Sequence, residues 1–131
     1  SLDMLCIAGT VGYFKRVNPA FTRILGWSSE ELVSRSFLDF VHPDDVASTQ
    51  HEIDKLAQGI PTISFENRYQ CADGSYRHLV WNSYPEPESG LLYAIARDIT
   101  DLKDERERTE REIRALSQRL DAAEAKLRGL P

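Results

Sequence analysis

The sequence predicts an α+β fold: a five-stranded antiparallel sheet with a helical insert between strands 2 and 3, followed by a C-terminal helix. Three observations predict it. Apolar residues recur at helical spacing between about residues 19 and 57, then alternate in pairs of two from residue 62 to residue 97. Asp73-Gly74 interrupts that alternation with a hairpin signal. Beyond residue 100 the composition shifts, because residues 101–131 hold 8 acidic and 8 basic side chains and no aromatic one. Residues 1–100 hold 13 acidic and 8 basic side chains, so the whole net charge of −5 lies in the body. The expected organisation is therefore a globular domain over 1–100 and a helical linker over 101–131.

The elements follow in chain order. Residues 4–8 and 13–17, parted by Gly9-Thr10-Val11-Gly12, read as a hairpin. Asn18-Pro19 starts a helix, with Asn as the cap and Pro pre-set for the first turn; Phe21, Ile24 and Leu25 form its apolar face and Gly26 ends it. Ser28-Ser29-Glu30-Glu31 is a capping box for a second short helix. His42-Pro43-Asp44-Asp45 opens the third and longest helix of the body, whose carboxylates would meet the positive end of its dipole. Val46, Ile53, Leu56 and Ala57 fall on its apolar face, and Gly59-Ile60-Pro61 ends it.

In the third strand Ile63, Phe65 and Tyr69 alternate with Ser64, Glu66 and Arg68. A two-residue Asp-Gly loop would set His78 and Asn82 beside Phe65 and Tyr69. A three-residue loop with Gly74 left-handed sets Leu79 and Trp81 there instead, apolar against apolar, and is the preferred register. The fourth strand covers 76–84, a turn 85–90, and the fifth strand 91–97, with Leu92, Ala94 and Ala96 inward and Tyr93 and Ile95 outward.

Composition narrows the function. Hydrophobic residues at 41% and charged residues at 28% suit a soluble globular chain. No apolar run is long enough to span a bilayer, so no membrane contact is expected of this stretch, and an acidic chain is a poor nucleic-acid binder. Two cysteines, Cys6 and Cys71, read as small strand residues and suit a reducing cytoplasm. They make neither a zinc site nor any other metal site.

Val17-Asn18-Pro19-Ala20-Phe21, Leu25-Gly26-Trp27-Ser28-Ser29-Glu30-Glu31-Leu32, Val41-His42-Pro43-Asp44-Asp45, Asp73-Gly74-Ser75-Tyr76-Arg77 and Arg97-Asp98-Ile99-Thr100-Asp101 stand in order along residues 1–101. In that order they resemble the PAS fold with its C-terminal PAC portion. The resemblance implies a sensory or dimerising input module of a bacterial signalling protein, such as a sensor histidine kinase of a two-component system, with an output domain in the same polypeptide. It also implies that Asp98 and Thr100 relay signals where the last strand leaves the sheet for a connecting helix. Both side chains can bond backbone groups at such a junction.

That helix carries a countable seam. Ile113, Leu120 and Leu127 repeat every seven residues, as do Leu102, Thr109, Leu116, Ala123 and Leu130. This is the a/d pattern of a parallel two-stranded coiled coil, weakened near the body by Arg106 and Thr109, and the expected partner is a second copy of the chain.

Cofactor chemistry is disfavoured. His42 reads as a cap, His78 as outward-facing, and His51 lies about 140° around the helix from Val46, away from the core; haem is not expected. No cysteine stands in the first helices for a covalent flavin, and no catalytic constellation is visible, so this stretch reads as non-enzymatic. What is left is the space between sheet and helices, walled by Ile53, Leu56, Phe65, Asn67, Tyr69, Leu79, Trp81, Ser83, Leu92 and Ala94. Asn67 and Ser83 are polar on an apolar face, and the partner each needs is a small ligand, a water or the protein itself. A filled core that only dimerises is the rival reading. The abrupt ends, a first strand at once and a helix cut at Pro131, suggest an excised fragment.

Overall fold

The computed structural model describes residues 3–131. In the body, β1 (Met4–Gly9) and β2 (Phe14–Val17) precede α1 (Pro19–Leu25), α2 (Ser29–Ser34) and α3 (Val46–Ala57); β3 (Thr62–Gln70), β4 (Tyr76–Glu86) and β5 (Leu91–Asp98) complete it. The five strands form one antiparallel sheet in the order β2-β1-β5-β4-β3, so the first hairpin inserts beside the last strand. A C-terminal unit from Thr100 is the helix α4 (Thr100–Arg128).

Local chemistry accounts for the helical insert. Pro19 opens α1, and Gly26 closes it at φ 84°, a left-handed conformation that glycine adopts at little cost. Ser28 and Glu31 form both bonds of the capping box on α2. Asn18 departs from expectation. Its side chain does not cap α1; Oδ1 accepts from the Leu5 amide and Nδ2 donates to the Asp3 carbonyl, pinning the helix start to β1.

The approach to α3 also differs. Pro43–Asp45 is a 3-10 turn, so α3 begins at Val46. His42 does cap, with Nδ1 accepting from the Asp44 amide at 3.0 Å. Asp45, however, points to Arg68 of β3, accepting from its Nε at 2.9 Å, its Nη2 at 2.8 Å and its amide at 2.8 Å. A bidentate guanidinium offers a carboxylate more than a helix dipole does. Ala57 is exposed; the inner face of α3 is Val46, Thr49, Ile53 and Leu56.

The β3–β4 hairpin has the three-residue loop with Gly74 at φ 90°, and Phe65 pairs with Trp81. At its far end β3 bulges between Thr62 and Phe65, with Ser64 at φ 51°. The extra residue flips the alternation, so Ile63 is exposed and Thr62 buried, the reverse of the expected pattern. The fourth strand continues through Pro85 and Glu86, and Cys71 stands just past the end of β3, where its amide donates to the Ser75 carbonyl at the base of the loop, rather than within a strand. Leu92, Ala94 and Ala96 are buried on the inner face as expected.

Candidate functional site

On the inner face the middle of the sheet is built from small residues. Ser83 pairs with Ala94 and Ala94 with Cys6, giving one row across three adjacent strands. Larger rings stand around that row: Tyr69 lies 5.5 Å from Trp81, and Phe14 lies 5.4 Å from Phe21 and 5.5 Å from Phe37. Small floor and bulky walls leave a cavity of about 50 Å³ between the sheet and α3.

Nine of the ten residues expected at this space line it: Ile53, Leu56, Phe65, Asn67, Tyr69, Trp81, Ser83, Leu92 and Ala94. Leu79 does not. It is fully buried but lies toward the Asp98 end of β4, four residues from Ser83. Sequence reasoning missed Cys6 and Ala8 of β1, Phe14 and Phe37, and the polar wall residues Thr49, Glu52 and Thr62. Thr49 was legible in principle, being at i+3 from Val46 on the same helix face, whereas Glu52 stands about 120° around the helix from Val46, at the edge of that face.

Three polar links hold α3 against β3 along this wall. Asp45 grips Arg68, as above. Thr49 Oγ1 accepts from Asn67 Nδ2 at 3.1 Å and donates to the Asp45 carbonyl at 2.7 Å, while Asn67 Oδ1 accepts from the Trp81 indole at 2.8 Å. Glu52 accepts from Thr62 Oγ1 at 3.1 Å and from Lys55 Nζ at 3.1 and 3.2 Å. So the protein itself is the partner of Asn67. The Arg68 guanidinium beside Asp45 holds that carboxyl below its usual range. Burial pushes the Cys6 thiol up to about 12 and raises the Tyr69 phenol well above its ordinary value, so both are neutral at pH 7. Among the described residues, no group of three or more His, Cys, Asp or Glu side chains is placed to hold a metal.

His51 is exposed, on the side of α3 away from the cavity. Asp98 is the last residue of β5, with Oδ2 3.4 Å from Arg77 Nη1 of β4, and Thr100 is the first residue of α4. Leu102, Thr109, Ile113, Leu116, Leu120, Ala123 and Leu127 all lie within α4, and all are exposed in the single chain. Leu130 lies past the end of the helix, which gives way at Gly129, so α4 does not carry that last seam position.

The family profile described as PAS fold matches residues 14–96. The chain belongs to the PAS family. A probable diguanylate cyclase, DgcE of Escherichia coli (strain K12), is 32% identical to it over 127 residues, covering 91% of this chain and 11% of that protein. The PAS chain thus spans about a tenth of that relative. A sensory box histidine kinase/response regulator domain from Geobacter sulfurreducens superposes with a TM-score of 0.66 at 20% identity, covering 75% of this chain and 84% of that one. The PAS domain of an HTR-like protein from Haloarcula marismortui gives a TM-score of 0.59 at 27% identity, covering 74% and 81%. The chain is a PAS sensory domain of the kind carried by bacterial signalling proteins. No helix among the described residues is long and apolar enough to cross a membrane.

Proposed function

We propose that this PAS domain is the cytoplasmic input module of a multidomain signalling enzyme, and that it acts through paired α4 helices on a catalytic domain further along the polypeptide. The observation that carries this reading is the junction. One residue, Ile99, separates the end of β5 from the start of α4, and its amide donates to the His78 carbonyl at 2.8 Å. A shift of β5 therefore has little slack to absorb it before the helix. The seam supports the second half of the reading. Ile113, Leu116, Leu120 and Leu127 are more than half exposed in the single chain, and a lone charged helix with so narrow an apolar stripe is marginal in water. Pairing side by side with a second copy covers it.

The relative favours a diguanylate cyclase as the output over the sensor histidine kinase expected from sequence. Its match covers 91% of the chain, more than the body alone supplies, and so runs into α4. Free Cys6 and Cys71 fit a reducing compartment.

The test has two parts. Leu116→Gln with Leu120→Gln should turn a dimer into a monomer by sedimentation equilibrium while leaving the body folded; an unchanged dimer would move assembly to the outer sheet face, where Leu5, Tyr84 and Tyr93 are exposed. In a fusion of the chain to a diguanylate cyclase domain, a seven-residue insertion after Leu127 should preserve activity and a four-residue insertion should change it, because four residues rotate the seam out of phase. Equal activity in both would sink the relay.

A second reading, a structural dimeriser with a filled core, draws on one observation: Asn67, Thr49 and Trp81 satisfy one another without help.

A further inference from the structure

Both edges of the sheet are tied to one short piece of chain. Ser36 forms an antiparallel bridge with Tyr13, just ahead of β2, and the Phe37 amide donates to the Gly12 carbonyl at 2.8 Å. Five residues after Ser36, Val41 bridges Tyr69 of β3, and the His42 amide donates to the Arg68 carbonyl at 2.9 Å. β2 and β3 are the outermost strands, so each bridge lies on an edge that no strand covers. In a flat sheet Ser36 and Val41 would stand six strand spacings apart, at least about 29 Å. Five residues reach no more than about 18 Å even when fully extended, and Phe37–Phe40 is a 3-10 turn. The sheet is therefore curled until its two edges face each other. The rings of Phe14 on β2 and Tyr69 on β3 accordingly lie 6.5 Å apart across the inner face.

A second tie crosses the same gap. α1 follows directly on β2, and at its far end the Leu25 carbonyl accepts from the Ala72 amide at 2.8 Å. The Trp27 indole then donates to the Gln70 carbonyl at 2.8 Å. Arg35 lies over the rings of Trp27 and Phe40, 4.8 and 4.5 Å from their centroids, and so joins the two ties to each other. Both end within residues 68–72, at the close of β3 and in the loop behind it. There the backbone bonds are reinforced by two side-chain grips, Asp45 on Arg68 and Trp27 on Gln70. Strand twist alone leaves a five-stranded sheet open, so the closure is supplied by the ties.

We propose that residues 68–72 form a clasp that holds the sheet curled, and that release of this clasp is the movement of β5 that α4 receives. The second half deepens the input-module reading above and rests on it. β5 is the middle strand of the five, between β1 and β4, so a change of curl rotates it against both neighbours.

The experiment uses isotope-labelled full chain and the diguanylate cyclase fusion. Arg68→Gln with Trp27→Phe removes both side-chain grips and leaves the backbone bonds of the ties free to form. In NMR spectra the cross-peak between the Phe14 and Tyr69 rings should be lost, while amide contacts joining β1, β5 and β4 persist. Ser28→Ala removes the α2 cap without touching the clasp, and should keep the ring cross-peak. In the fusion, the double variant should change cyclase activity at least about fivefold, the lower end of a typical coupling between sites, and Ser28→Ala should not. Should the double variant not fold, Trp27→Phe alone decides, with a weakened cross-peak expected. A folded clasp variant that keeps the full cross-peak, or an equal loss in Ser28→Ala, would overturn the proposal. So would a cyclase that ignores the clasp variants yet responds to the four-residue insertion. A cyclase that ignores the insertion as well would sink the relay reading instead, and the ring cross-peak would then decide the clasp by itself.

Discussion

The Trp81 indole and the Asn67 carboxamide meet at 2.8 Å across neighbouring strands, on an inner face that is mainly apolar. Asn67 passes the connection on to Thr49 of α3, so one buried amide ties β3, β4 and the helix together. Asn67→Leu keeps the volume but strands the indole N–H. It should cost about 2 kcal/mol, the penalty for a buried donor left unpaired, or roughly 10 °C in the melting midpoint of a domain this size. In a double-mutant cycle with Trp81→Phe the two losses should be less than additive; strict additivity by calorimetry would show that the contact carries no energy.

The grip of Asp45 on Arg68 predicts an acid dependence. Hydrogen bonding from the guanidinium lowers the Asp45 carboxyl in the folded chain relative to the unfolded one. The group therefore adds stability above the ordinary carboxylate range, and that contribution is lost as pH falls through its lowered folded value. Asp45→Asn should melt several degrees lower at pH 7. The gap to the parent chain should narrow steadily below about pH 4. A gap that is constant with pH would assign the loss to packing rather than charge.

At the bulge, Ser64 holds φ 51° while its amide donates to Asn82 Oδ1 at 3.0 Å. That conformation costs a non-glycine residue about 1 kcal/mol, partly offset by the extra chain entropy a glycine would lose. Ser64→Gly should accordingly be neutral to slightly stabilising, by about 0.5 kcal/mol. Ser64→Val should lose at least about 1 kcal/mol, because a β-branched side chain fits this region badly. If urea unfolding shows valine tolerated as well as glycine, the bulge has moved along β3.

These elements show what the sequence could and could not disclose. The hairpin register was legible because Gly74 and the alternation of Phe65 with Tyr69 favour one loop length. The capping box on α2 was legible because its four residues are contiguous. The bulge was not, since Ile63 continues an apolar alternation and only tertiary pairing through Asn82 reveals the inserted residue. Most strand and helix walls of the cavity could be named from periodicity. Cys6, Ala8, Phe14 and Phe37 could not, because they reach it through the β1–β5 pairing and the close packing of the insert, neither of which leaves a local signal. Asp45 was misread for the same reason: its partner stands 23 residues away.

The last prediction concerns the stretch of α4 next to the body. In the heptad frame set by Ile113 and Leu116, Arg106 and Thr109 occupy the preceding a and d positions, yet α4 runs through both without a break. A paired seam would there hold two guanidinium groups facing each other and a pair of short hydroxyl side chains, so that stretch should be held together more weakly than the leucine-lined one beyond it. Arg106→Ile with Thr109→Leu replaces the repulsion with apolar contact, and one buried aliphatic side chain contributes about 1.5–3 kcal/mol. With the gain made on both chains, the dimer dissociation constant should fall at least about tenfold. Sedimentation equilibrium checks this, and an unchanged constant would mean that the two helices diverge before they reach the body. If the proposed relay holds, a tightened seam should also make the fused cyclase less responsive to changes in β5.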